Sequence, residues 1–444
     1  MIEEISDNKL LFAFRRLIDK HGSEERRLHK STYYCGSKVI AQSWLDSNVF
    51  VIKNDKSARF AGVATCKNSW LCPVCSARVM SKYASDIAAA IDALQSRSRN
   101  RQLAAMFTLT IPHTSGMTCE EITEILFDTW KDFIVHGNKN VKANSKTGKD
   151  KRWNVYDPFS LFCETFGCVH RVRVGEYTYG EHGWHPHFHC LFWVDADKFK
   201  YIKDWEETLN RRWLELAKRN TLKHWNKRYP DKENNKKRLE IMYSKLNDES
   251  KGVYISKDKN GDTIVQKSSS YICGWGADKE LTGNVKNKAS NEGHKTPRQL
   301  LEEYANGNEQ SGELYLEFAR ATKSKSHRRI NFSLGLRKII NQYKQTKEYA
   351  EVFKKKAIDE EKANGIWREV CWFSNQQWNE ICLAEKTSKL PVRYMILKAA
   401  FEHGLEYIED MLLHSYNIDI RMNRLRRPPR ADIWADTFKF VLAA

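Results

Sequence analysis

Two short segments of this 444-residue chain carry side chains whose types and spacing suit metal chemistry. In EHGWHPHFHC (181–190), four of the fourteen histidines fall together: His182, His185, His187 and His189. Side chains two apart on a strand share a face, so His185, His187 and His189 are expected to point the same way. Imidazoles in such a row can grip one divalent cation, with further ligands drawn from a neighbouring strand. Glu176, on the preceding arm, is the candidate oxygen ligand. The second segment, CKNSWLCPVC, spaces Cys66, Cys72 and Cys75 as C-x5-C-x2-C, and Cys35 lies upstream in YYCGSK. The two-residue gap lets Cys72 and Cys75 reach one tetrahedral ion, and four thiolates make a closed structural zinc site. His29 is the nearby rival to Cys35 for the fourth place. A thioredoxin-like redox pair is disfavoured by the two further cysteines and by the lack of an adjacent βαβ pattern. The other seven cysteines stand singly in apolar surroundings and read as buried thiols.

These side chains need a strand, a neighbour and a tight connection between them. Residues 168–194 read as a hairpin, with arms CVHRVRVGEYTY and HPHFHCLFWV and a turn supplied by Gly180 and Gly183. AAMFTLTIPH (104–113) is a β-type run ended by Pro112, and GVYISKD and DTIVQK form a short β-like pair near 251–268. Between these runs lie helical patterns. Residues 1–34 read as one charged helix with Leu10, Leu11, Phe14 and Leu17 on one side. Further helices are expected from Ser76 onward, over EEITEILFDTWKDFIV, through DWEETLNRRWLELAKR, and over most of the chain after about 330. The polar stretch NKNVKANSKTGKDKR reads as a basic loop.

Composition sets the class. Hydrophobic residues at 41% and charged residues at 29% are globular values, which excludes a disordered tail or fibrous repeat. No run approaches the roughly 18 apolar residues of a membrane span. The start, MIEEISDNKLLFAFRR, lacks the basic-then-apolar order of a signal peptide, so a cytoplasmic protein without a disulfide framework is expected. Lys and Arg total 74 against 56 Asp and Glu, a net charge of +18. Such an excess favours a polyanionic partner, nucleic acid being the commonest. The positive charge gathers in 211–238 (eleven Lys/Arg against three Asp/Glu), in KSKSHRR (323–329) and in RMNRLRRPPR (421–430). Each can contact phosphates, which gives affinity but carries no base sequence, or be a solvated face.

Alternating histidines occur in two known settings, the histidine-triad nucleotide hydrolases and the His-hydrophobic-His strand of the HUH endonucleases. His187-Phe188-His189 followed by Cys190, Leu191 and Phe192 fits the second form. The motifs CKNSWLCPVC, FTLTIPH, EYTYGEHGWHPHFHCLFWV and YICGWGADKELTG follow one another in that order. TPRQLL (296–301) and SHRRINFSLGLRK (326–338) come after them. Over about Cys35 to Lys338 the chain therefore resembles the single-tyrosine plasmid rolling-circle replication initiators of the HUH endonuclease superfamily.

That resemblance implies an α+β fold with a central antiparallel HUH-type sheet flanked by helices, the histidine strand in its middle. An N-terminal four-cysteine zinc knuckle and a mostly helical C-terminal region would flank it. The implied division is 1–99 for the N-terminal helix and zinc module, 100–285 for the endonuclease core and 286–444 for a basic helical region. It further implies Mg²⁺ or Mn²⁺ on His187 and His189 with Glu176, and His185 as an assisting or alternative ligand. Tyr271 would be the nucleophile that nicks single-stranded origin DNA, leaving a 5′-phosphotyrosyl link and a 3′-OH primer. Gly274 stands where the family commonly has Lys, with Lys279 as the candidate substitute and Tyr254 as the second candidate nucleophile. Asp278 and Glu280 are candidates for activating water at termination. Plasmid origin DNA and a host helicase or polymerase are the implied partners. The alternatives are an HUH transposase or mobilisation relaxase, or a non-catalytic zinc-containing DNA-binding protein.

Overall fold

A computed structural model describes residues 3–40, 48–97, 99–135, 157–246, 252–265, 293–324 and 326–424. Among them the strands are β1 (Val49–Lys53), β2 (Ala58–Ala61), β3 (Gln102–Thr110), β4 (Arg171–Gly180), β5 (Gly183–Asp195), β6 (Val253–Ile255), β7 (Ile330–Phe332) and β8 (Arg368–Phe373). The architecture is α+β, with two antiparallel sheets among helices.

The histidine segment becomes β5, the central strand of a five-stranded sheet ordered β6-β3-β5-β4-β7. Its far half, CLFWV, is buried on both faces, as β-branched and aromatic residues between helical layers should be. β4 and β5 are joined by a two-residue turn, with Gly180 opposite Gly183 and Gly183 at φ +83°, a left-handed conformation that glycine adopts without strain. Phe188, Cys190, Phe192 and Val194 pack in one core with the helices Cys119–Val135, Pro158–Phe166 and Glu206–Arg228. Leu191 and Trp193 face the other way, against Met80, Ile87 and Leu94 of the helix Pro73–Gln95. β6 pairs with β3, and β7 covers β4 at residues 172–174.

The second sheet, β2-β1-β8, joins distant parts of the chain. Val49, Val51 and Phe60 share a core with Phe373, Trp378, Ile396 and Leu397. The structural units therefore cross the sequence boundaries at 99 and 285: β8 completes a sheet begun by residues 49–61, and β7 completes the one containing β5. A buried charge cluster ties these regions further. Glu385 pairs with Arg15 at 2.8 Å and also with Arg393, and all three side chains are nearly inaccessible. Arg15 donates onward to the carbonyls of Tyr33 (2.8 Å) and Cys35 (2.6 Å).

Three local expectations change. The helix expected over 1–34 is broken into Glu3–Lys20, Ser23–Leu28 and Lys30–Tyr33, because Gly22 turns the chain at φ +94°. The helix expected from Ser76 starts at Pro73, where proline suits the first turn because no helical N–H partner is required there. Among the described residues, 252–265, the expected pair is a hairpin whose first arm contains β6 and whose second arm bridges to β3 at Val265.

Removing one member of a buried ion cluster leaves the others uncompensated, which typically costs about 3–5 kcal/mol. Glu385→Ala should therefore lower the urea unfolding free energy by about 3 kcal/mol or more, and a loss below about 1 kcal/mol would show that the cluster holds little.

Candidate metal centres

The β4–β5 register sets Glu176 directly opposite His187, and Val174 opposite His189. Glu176, His187 and His189 thus share one face of the sheet. Their ligand atoms lie within 4.8 Å of one another. Oε2 of Glu176 is 3.3 Å from Nε2 of His187 and 3.1 Å from Nε2 of His189. The three side chains are only 11%, 12% and 6% exposed. One carboxylate oxygen facing two imidazole nitrogens is satisfied either by protons or by one cation. Two imidazoles and a carboxylate with room for further ligands suit a divalent ion that must also accept a substrate oxygen.

The surroundings tune this trio. Burial would raise the Glu176 carboxyl, but hydrogen bonds from His187 and His189 outweigh it and hold the group well below the usual carboxylate range. Burial pushes the His189 imidazole down, against the pull of Glu176. Both effects favour the deprotonated forms that bind metal. Nδ1 of His189 lies 3.0 Å from Oγ1 of Thr108, which sits opposite it on β3, and this contact fixes the ring's orientation. Sequence reasoning alone does not single out Thr108. The available signal is the alternation of Thr108 and Thr110 on β3, which matches that of His189 and His187 on β5.

His185 continues the row but stands outside the trio, its ring 5.3 Å from that of His187 and 5.0 Å from that of His113. Burial, aided by the neighbouring His187, His113 and His294, pushes its imidazole down to about 3. Tyr254 lies on β6 opposite Thr108, so Tyr254, Thr108 and His189 form one row across three strands on the metal-facing side. Tyr271, Gly274, Asp278, Lys279 and Glu280 lie outside the described residues.

Cys35, Cys66, Cys72 and Cys75 form the second cluster, again with all ligand atoms within 4.8 Å. Sγ of Cys75 is 3.5 Å from that of Cys35 and 3.7 Å from that of Cys66. A tetrahedron with zinc–sulfur bonds of about 2.3 Å has edges of about 3.8 Å, so the thiols are spaced for that ion. Hydrogen bonds from the other three thiols lower Cys35, whereas burial raises Cys72. His29 does not join the cluster and faces Glu25 at 3.4 Å. Among the described residues every cysteine is unpaired by disulfide.

The two centres are mechanically joined. Trp70, between Cys66 and Cys72 in the chain, lies edge-on to Tyr177 at 5.2 Å and donates from Nε1 to the His327 carbonyl at 2.7 Å. A Cβ at Gly175 would come within 2.8 Å of the Trp70 ring, so glycine is required beside Glu176. Arg329 fastens the same loop through the Ser69 carbonyl (2.7 Å) and Ser76 Oγ (2.9 Å). The knuckle therefore grips β4 with Trp70 on the Phe188 side, while the helix that leaves it covers the histidine side.

The basic segment 211–238 divides in two. On the helix Glu206–Arg228, Arg219 pairs with Asp132, Lys223 with Asp128, and Arg228 with Glu121 and Glu124. Those charges hold two helices together. Lys232, Lys236, Lys237 and Arg238 remain exposed on the helix Lys232–Ser244. No helix among the described residues is long and apolar enough to cross a membrane.

Purified protein should contain one zinc per chain by elemental analysis, lost in Cys72→Ser; absence of stoichiometric zinc in the parent would refute the site. Mn²⁺ should bind at a separate place, measured by calorimetry. Glu176→Ala should weaken that binding beyond the roughly 10–100-fold typical of outer-shell changes. Acidification should weaken it too, because protons compete for the two Nε2 atoms.

No protein-family model, no curated protein and no solved structure matches this chain.

Proposed function

We propose that the chain is a metal-dependent DNA nicking and joining enzyme that initiates plasmid rolling-circle replication, with an HUH-type core. The observation that carries this reading is the convergence of Glu176, His187 and His189 on one face of an antiparallel sheet, with the histidine strand at its centre. The thiol cluster clasped to β4 and the net charge of +18 support it.

In this reading Tyr271 is the nucleophile. Its oxygen forms a bond to phosphorus as the phosphorus–O3′ bond breaks, the phenolic proton is lost, and the leaving oxygen becomes a free 3′-OH. The new phosphotyrosyl bond conserves the energy of the phosphodiester, so a later strand 3′-OH can reverse the step and rejoin DNA. A divalent cation held by the trio would polarise the scissile phosphate and assist loss of the phenolic proton, whose ordinary pKa is about 10. Glu176, His187 and His189 hold their atoms toward one point, Thr108 orients His189, and the zinc module braces Glu176 from behind. Origin DNA and a host helicase or polymerase are the partners this activity calls for.

Incubation with Mn²⁺ and single-stranded origin DNA should give a nicked product and a covalent adduct that survives denaturing electrophoresis. Tyr271→Phe should abolish the adduct, and His187→Ala with His189→Ala should lower the rate at least about a thousandfold, roughly 4 kcal/mol. No nick and no adduct from the parent would leave a zinc-containing DNA-binding protein without catalysis. An adduct retained in Tyr271→Phe would move the nucleophile elsewhere.

A further inference from the structure

A cleft of about 640 Å³ opens beside the histidine row, within the range of roughly 300–1,000 Å³ found for ligand sites. It begins at the metal-facing row, for its lining includes His185 and also Thr110, which sits opposite His187 on β3. Oγ1 of Thr110 is itself buried, with no hydrogen-bond partner among the described residues. The floor also carries His113, His182 and His294. The far wall is the helix Lys232–Ser244 and the residues just after it, which contribute Arg238 and Lys245. The guanidinium of Arg238 is 4.8 Å from the ring centroid of Trp225, which holds it at the cleft edge. Tyr254, 41% exposed on β6, forms part of the near wall. Among the described residues no carboxylate lines the cleft.

Among the described residues the lining combines imidazoles, two cations and an accessible phenol ring with apolar side chains such as Ile111, Leu214 and Met242, a surface for a polyanion that also carries flat aromatic faces. Unpaired nucleic acid has both features, whereas a stacked duplex buries its bases. We propose that this cleft is the path of a single-stranded nucleic acid leading to the metal-binding trio. Arg238 and Lys245 face its phosphates, and Tyr254 is a platform on which a base stacks. The proposal rests on the nicking reading, and it gives the helix Lys232–Ser244 and Tyr254 binding roles distinct from the chemical step.

The test uses the full chain with Mn²⁺ and a fluorescent, unstructured oligothymidine, read by anisotropy across a salt series. Arg238→Glu with Lys245→Glu should weaken binding at least about tenfold and flatten the log–log salt slope, by about 0.7 for each lost single-strand phosphate contact. Tyr254→Ala should weaken it about tenfold, and Tyr254→Phe should keep parental affinity because stacking needs the ring alone. Mn²⁺ affinity, measured by calorimetry, should be unchanged in all of these variants, which also shows that they fold. Parental affinity and slope in both the charge-reversed and Tyr254→Ala proteins would overturn the cleft assignment, as would a parent that does not bind the probe. If the parent forms the covalent adduct while those variants bind normally, the cleft fails and the nicking reading stands. If the parent forms no adduct yet the variants lose binding as stated, the cleft stands as a single-strand site and the nicking reading fails.

Discussion

The pairing register of β4 with β5 is the constraint on which the candidate chemistry depends. Side chains alternate along a strand, so a slip of one residue would carry Glu176 to the opposite face from His187 and His189. The two-residue connection between Gly180 and Gly183 prevents that slip, since it permits only one pairing of the two arms. The rest of the sheet repeats the constraint. β3 brings Thr108 against His189, and Trp70 fits only where Gly175 leaves space beside Glu176.

Charge is distributed to the same end. Each cluster that could hold a metal concentrates groups that compete for protons when close together, a cost that a cation would remove. Elsewhere Arg15, Glu385 and Arg393 match one another in the interior, and a more exposed ladder of pairs joins the helices Cys119–Val135 and Glu206–Arg228. Much of the apparent surplus in the basic segment is thereby consumed in packing. Lys218 and Lys227 on the longer helix and Lys232, Lys236, Lys237 and Arg238 on the shorter one stay exposed, where they can attract a polyanion without destabilising the core.

The parts legible in the amino-acid order were those encoded locally. Alternating histidines, a C-x2-C pair and a glycine-flanked hairpin announce themselves within a dozen residues. The helical patterns over 120–135 and 204–219 were equally plain, because a long amphipathic repeat outweighs local noise, although the second helix runs on to Arg228. The elements that escaped were set by distant partners. β7 has three residues and no periodicity to display, and β8 forms because β1 offers it an edge more than three hundred residues earlier. Thr108 and Trp70 escaped for the same reason: each is unremarkable until folding brings it beside a candidate metal ligand or its neighbour. The charge of 211–238 was visible, but its division into packed and open halves depends on the facing helix.

The sheet β2-β1-β8 also bears on how the protein is made. Two of its strands leave the ribosome early and the third very late. At about 5–20 residues per second the wait is on the order of tens of seconds. Throughout that time β1 presents an unpaired edge, and the Arg15 guanidinium, which later holds the Cys35 carbonyl, lacks its Glu385 counter-charge. The contact that holds the Cys35 carbonyl therefore gains its buried counter-charge only after residue 385 has been made. Nascent chains pass through a stage in which a chaperone, or early metal capture by Cys66, Cys72 and Cys75, has the most to contribute.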